Sequence, residues 1–446
     1  MPNQSSGSPS AAMFSEMRQR AREIFDHALE GCNIATAIQT CIQVQGTQLR
    51  IGNNIYDLKS LSGIKVVSIG KAGHTMAEAL SHIIGSGLHG IVSCPSAPAA
   101  QVSGFRYFIG GHPMPNAESL RAGEVILNLL AGSEPSGLTI FCISGGASAI
   151  AEKPLSPAIS LDDLIATYKA LVHSGAPIAE INAVRKHLSA IKGGRMALAA
   201  APSHQISILV SDVPENALDA LASGPTMPDT TTANDCYAIA TKYDLLPHFP
   251  PSVRQLFERH ELQETPKQGD PAFQHSRYFT VLSNATALKA AVEYATLEGF
   301  AVEVDNSCDD WDYADAADHL LARLHELRRG ASRVCLISGG EVTVKAGKNP
   351  GTGGRNQQFA LYGAEKIAGQ PITVLSAGTD GIDGNSQAAG AIADGSSVAR
   401  AKDNGLDTSA ALGKLDAFPL FEALGDAIIT GPTGNNVRDV RILMAY

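Results

Sequence analysis

The chain has 446 residues, 44% of them hydrophobic and 17% charged, with a formal net charge of −10. That composition excludes a disordered chain, the lack of any run of about 18 apolar residues excludes a membrane-spanning helix, and the acidic balance argues against a dedicated nucleic-acid binder. Glycine is the outlier, with 43 residues against 13 Phe, 10 Tyr and 1 Trp. Such a backbone must bend sharply, or approach ligands closely, in many places.

Residues 1–12, MPNQSSGSPSAA, are polar and low in complexity, which predicts a disordered tail. Residues 13–30 predict a first helix. Arg18, Arg20 and Arg22 are interrupted by Glu16, Glu23, Asp26 and Glu30, unlike the acid-poor pattern of a presequence. Short apolar runs that end in Gly, Ser or Asp follow: 65–73, 90–96, 107–113, 138–148, 206–214, 278–287, 333–344 and 372–381. Near-continuous runs of this kind suit strands buried on both faces, as in parallel sheets. Helical spacing appears between them at 73–85, 117–131, 161–172 and 314–329. The alternation predicts an α/β fold of two Rossmann-like domains with largely parallel sheets. A Pro-rich, charged stretch at 243–276 marks the boundary. The expected domains are 13–250 and 277–446, joined by a linker at 251–276. The seven cysteines are scattered with no CxxC pair. Neither a disulfide framework nor a zinc site is expected, and a reducing, cytoplasmic location is.

Open α/β sheets bind ligands beyond the carboxyl ends of their strands, so the turns after the apolar runs are the places to look for chemistry. No GxxxxGK[ST] occurs. The one GxGxxG match, 85–90, follows a helix and precedes a strand, the reverse of the dinucleotide order. It reads as a helix C-cap and turn. SIGKAG places Gly70 and Lys71 past a buried strand, where an ammonium suits phosphate or carboxylate; a solvated helix-start lysine fits equally. IGGHP (Gly110, Gly111, His112) and ISGGAS (Ser144, Gly145, Gly146, Ala147, Ser148) offer free backbone amides for an anion, or are simple tight turns. VSDVP sets Asp212 at a strand end, suited to general-base work or to capping.

The stretch 181–195 concentrates Arg185, Lys186, His187, Lys192 and Arg195. In an acidic chain it suggests a small anionic substrate, against the plainer reading of a solvated helix face. Residues 338–361 form the densest segment. Gly339, Gly340 and Glu341 end a strand, Lys345 and Lys348 flank a glycine-rich loop, and Gly353 and Gly354 precede Arg355 and a helix. That arrangement suits phosphoryl oxygens. Asp380 and Asp383 follow the last clear strand and suit Mg²⁺ held through waters and phosphates. The acidic run 305–315 lacks the glycine and the final acid of a calcium loop and is set aside.

Together these motifs resemble the glycerate 2-kinase family. The resemblance is carried by SIGKA (68–72), GGHPMP (110–115), ISGGASA (143–149), NAVRKHLSAIKGGR (182–195), VSDVP (210–214), SGP (223–225), SGGE (338–341), GTGGRNQ (351–357), GTDGIDG (378–384) and GPTGNNVRD (431–439), in order along the chain. It implies phosphoryl transfer from ATP, with Mg²⁺, to the 2-hydroxyl of D-glycerate, giving 2-phosphoglycerate. It also implies two α/β domains with the active site in an interdomain cleft. The family's lysine, aspartate and arginine map to Lys71, Asp212 and Arg355. Arg185 would hold the glycerate carboxylate or a phosphate, and Asp380 or Glu341 would support the metal.

The expected partners are D-glycerate and a nucleotide, with homodimerisation open, and neither nucleic acid nor membrane. Two departures from the family pattern touch loops: Asn385 and Ser386 replace a usual Pro-Thr pair, and Asn435 and Arg438 stand where Thr and Asn are common. Hydroxypyruvate reduction and a non-catalytic anion-binding role are the alternatives. The missing dinucleotide fingerprint weighs against the first, and an aspartate among the cations against the second.

Overall fold

Uninterrupted apolar runs become fully buried strands, because only a strand covered on both faces can carry no polar side. Leu138–Ser144 and Ile372–Gly378 are buried at every residue. The computed structural model describes residues 10–345, 347 and 349–446, so residues 1–9 of the expected tail, and Lys348, lie outside the described residues. Two compact units emerge, one formed by residues 34–281 and the other by 282–446 together with the N-terminal segment up to Asn33.

The 34–281 unit opens with a small antiparallel sheet of β1 (Ile42–Gln45), β2 (Gln48–Ile51) and β3 (Asn54–Asp57). Its main sheet contains β4 (Ile64–Ile69), β5 (Leu88–Cys94), β6 (Phe105–Ile109), β7 (Leu138–Ser144), β8 (His204–Val210) and β9 (Ser276–Leu282), in the order β6-β5-β4-β7-β8-β9. The pairings from β6 through β8 are parallel. Strands β4 and β7 lie side by side at the centre, so the turns after them are neighbours. Helix Gly73–Ile84 ends where Gly85 turns left-handed (φ 83°) and donates to Ser81 O, the C-cap expected there.

The other unit contains β10 (Ala301–Val304), β11 (Val334–Gly340), β12 (Ile372–Gly378), β13 (Gly390–Asp394), β14 (Ala427–Ile428) and β15 (Asp439–Ala445), in the order β10-β11-β15-β12-β13-β14. Only β10 and β11 pair in parallel; every other pairing is antiparallel. The expectation of largely parallel sheets therefore holds for the first unit and is corrected for this one. The cause is β15, which returns between β11 and β12 and opposes both. Burial on both faces, the signal used, does not distinguish the two directions.

The domain limits also differ from expectation. Helix Pro251–Glu258 buries Val253 and Phe257 in the first unit, so the chain crosses over near residue 282 instead of through a 251–276 linker. The first helix is Ala11–Glu30, capped by Ser10 through its bond from Met13 N, and it belongs with the C-terminal sheet. It buries Phe14, Met17, Ala21, Ile24, Phe25 and Ala28, each of the larger side chains contributing about 1.5–3 kcal/mol. His27 stacks on Tyr294 at 3.7 Å, Arg20 pairs with Glu298 at 2.7 Å, and Arg18 pairs with Asp394.

Candidate active site

In the 34–281 unit, sequence turns gather four strand ends around one glycine pair. Gly70 (φ 116°) bends the chain after β4, and a side chain there would strike Ser144 Oγ at 2.3 Å. Lys71 N then donates to Gly145 O (2.9 Å) and Ala72 N to Ser144 Oγ (3.0 Å), stitching the ends of β4 and β7 together. Asp212, two residues past β8, presses its carboxylate on Gly145: a Cβ there would lie 2.0 Å from Oδ2. A Cβ on Gly146 (φ 79°) would lie 3.2 Å from both His112 Nε2 and Lys71 Cγ. Lys71, His112 and Asp212 thus converge where only glycine fits.

Desolvation, and after it the Lys71 charge, holds the His112 imidazole below its ordinary value, so it is neutral near pH 7. Gly111 N donates to Ser119 Oγ (2.9 Å), fixing the turn that carries His112. Ala147 opens the short helix Ala147–Ile150, and Ser148 Oγ meets Ser223 Oγ at 2.9 Å. Ala222, Ser223 and Gly224 are three consecutive left-handed residues, the kind of backbone that persists only where its surroundings impose it.

The basic stretch 181–195 is not a solvated positive face. Lys186 is buried between Asp219 and Asp229, 3.1 Å from each, and Lys192 is buried on Glu152. Glu152 also accepts from Tyr168 OH (2.5 Å) and Ser189 Oγ (2.5 Å). Arg185 lies over the Tyr168 ring, 4.7 Å from its centroid, and burial lowers its pKa. Its charge interacts with Tyr168 and Glu152. Burying these ions without partners would be costly, so most of the stretch's charge is matched inside the fold.

In the C-terminal unit the chemistry is held by ion pairs. Gly339 and Gly340 end β11, and their amides donate to Asn306 Oδ1 (2.8 Å) and Asn284 Oδ1 (3.2 Å). Arg355, first residue of helix Arg355–Lys366, forms a two-pronged pair with Asp439, at 2.6 Å and 3.0 Å, and reaches Glu341 Oε1 at 2.9 Å. Burial opposes the guanidinium charge, but Asp439 and Glu341 outweigh it and raise its pKa.

Asp383 accepts from Asn356 N (3.1 Å) and Gln357 N (2.9 Å), capping that helix. A Cβ on Gly354 would sit 2.3 Å from Asp383 Oδ1, and Gly353 is left-handed (φ 146°). Burial pushes the Asp383 acid up to about 7. Both of its oxygens serve these backbone amides, and Asp383 borders the same cleft as Asp380. Asp380 accepts from Ile382 N (3.2 Å) and lines, with Arg355, Thr343 and Ile382, a cleft of about 520 Å³. Among the described residues no three His, Cys, Asp or Glu side chains form a metal cage.

The chain matches the domain of unknown function DUF4147 over residues 20–258 and the MOFRL family over residues 334–439. It is 30% identical over 434 residues to a Pyrococcus horikoshii protein named glycerate 2-kinase, with 96% of this chain and 97% of that one aligned. It is 34% identical over 435 residues to an Agrobacterium vitis protein named "Putative hydroxypyruvate reductase", with 96% and 94% aligned. The crystal structure of Thermotoga maritima glycerate kinase superposes with a TM-score of 0.84 at 30% identity, covering 97% of this chain and all of that one. The chain belongs to the glycerate kinase family.

Within this family member the two sequence departures have visible consequences. Asn385 bridges the glycine-rich loop, accepting from Gly353 N (2.8 Å) and donating to Gly351 O (3.0 Å), and Ser386 accepts from Gln357 Nε2 (2.7 Å). Asn435 donates to Cys32 O (2.7 Å). Sequence reasoning missed Asp439, although it lies inside a quoted motif, because its partner Arg355 is 84 residues away. It also missed Ser223, whose SGP motif carried the only hint, and Asp309, which sits in the acidic run set aside as a failed calcium loop.

Proposed function

We propose that the enzyme transfers a phosphoryl group from ATP to the 2-hydroxyl of D-glycerate, giving 2-phosphoglycerate. The observation that carries this reading is the convergence of Lys71, His112 and Asp212 on the Gly145–Gly146 turn. Phosphoryl transfer needs positioning and charge neutralisation more than covalent help, and that turn supplies amides, an ammonium and a carboxylate together. Asp212 orients the glycerate hydroxyl and takes its proton. Lys71 and Arg355 offset the charge on the phosphoryl oxygens. Ser148 and the amides after Ser144 bind an anionic oxygen, while neutral His112 adds a hydrogen bond without a further charge. Asp380 and Asp383, which border one cleft with Arg355, or Glu341 would hold Mg²⁺, which binds through one or two carboxylates plus waters and phosphates; when bound, it would neutralise phosphate charge.

The test is a spectrophotometric assay with two arms. ADP release from ATP, Mg²⁺ and D-glycerate is the expected result. NADH oxidation by hydroxypyruvate without ATP, and no ADP release, would replace this reading with the reductase. Glycerate binding with neither reaction would leave an anion-binding protein.

A further inference from the structure

Arg438 carries the one charged side chain among the described non-glycine residues with positive φ that also pairs through two prongs. Its φ is 73°, and its side chain is only 8% exposed. Its guanidinium meets Asp309 at 2.7 Å and 2.5 Å. Asp309 Oδ1 in turn accepts from Glu341 N (3.0 Å), and it packs where a Cβ on left-handed Gly340 would lie, 2.7 Å away. Glu341 reaches Arg355, and Arg355 is forked onto Asp439, the residue that follows Arg438.

A ring of contacts therefore runs from Arg438 through Asp309, Glu341, Arg355 and Asp439 back to Arg438. The left-handed turn is what closes it, because it sends two successive side chains to different partners. Thr379 secures that turn, donating to Arg438 O from both its N (3.0 Å) and its Oγ1 (2.7 Å). A salt bridge alone would not call for arginine at this φ. Glycine or asparagine adopts it at less cost, and strained backbone of this kind clusters at functional sites.

We propose that Arg438 is a positioning residue for Arg355, acting through Asp309 and the Glu341 backbone. The inference rests on the reading that Arg355 serves phosphoryl transfer. The test uses the full chain with Arg438→Gly, which removes the guanidinium and relieves the backbone, alongside Asp309→Ala, the double variant and Arg355→Ala.

In Arg438→Gly, kcat is expected to fall about tenfold to a hundredfold, the scale of a misplaced group. KM for D-glycerate should hold while Tm falls along with kcat, because a buried fork is lost, and Asp309→Ala should match it in kcat, with the double variant no worse than either. Unchanged kcat in Arg438→Gly, or losses that multiply in the double variant, would overturn the proposal. Wild-type kcat in Arg355→Ala would instead sink the underlying reading. Should Arg438→Gly not fold, Arg438→Lys decides: it keeps the charge without the fork, so lowered kcat at unchanged KM supports the proposal and unchanged kcat overturns it.

Discussion

The two units fix their candidate site residues by different means. Around Gly145 and Gly146 the first unit uses backbone: parallel strands end side by side, and their turns bring amides, Lys71 and Asp212 within contact of glycines. Around Arg355 the second uses side-chain ion pairs: Asp439, Glu341 and Arg355 hold one another at the ends of β15, β11 and a helix. A parallel sheet places many turns at one edge, so local turn chemistry suffices there. A mixed sheet alternates strand ends and turns, so its charged groups must be fixed by long-range pairing. Activity and stability should therefore separate in the first unit and travel together in the second.

The largest effects test that separation. Asp212→Asn and Lys71→Ala should each lower kcat by at least about a hundredfold. Lys71 is half-exposed, so Lys71→Ala should shift Tm by no more than about 1–2 °C, as for surface substitutions. Arg355→Ala should lower kcat on the same scale. It also strands buried Asp439, so it should cost about 1–3 kcal/mol in denaturant unfolding. Equal Tm losses in Lys71→Ala and Arg355→Ala would erase the contrast between the units.

A pair of glycine substitutions sharpens it. Gly145→Ala would push its new carbon into Asp212, and Gly354→Ala into Asp383. The first should reduce kcat about tenfold or more. The second should lower Tm by several degrees, because it disturbs the cap of helix Arg355–Lys366.

The last expected effect is a pH dependence. Burial pushes Asp383 up to about 7, above its ordinary 3.8. The folded chain thus binds this proton more tightly than the unfolded one. The resulting stability is fully present below about pH 4 and is lost as pH rises through 7. Asp383→Asn should remove that decline, so the Tm difference between wild type and variant should change between pH 4 and 7. A difference constant across that window would refute the assignment.

What the sequence made legible follows the same division. Lys71, Gly145, Gly146 and Asp212 were visible because a short apolar run followed by Gly, Ser or Asp is a local signal, and parallel pairing then juxtaposes such turns. The ring through Asp439, Asp309 and Arg438 was not, because its contacts span up to 129 residues and nothing local marks them. The internal pairing of Lys186 and Lys192 was hidden for the same reason: Asp229 and Glu152, which meet them, are far from them in the chain. Helix Ala11–Glu30 was legible as a helix, but nothing local names the core it covers.

The central claim concerns which bond is made. Incubating the full chain with ATP, Mg²⁺ and D-glycerate and following the products by phosphorus NMR reads it directly. The account predicts 2-phosphoglycerate and ADP in equal amounts, with neither formed by Asp212→Asn at a comparable rate. Accumulation of 3-phosphoglycerate, or ATP left intact, would contradict it.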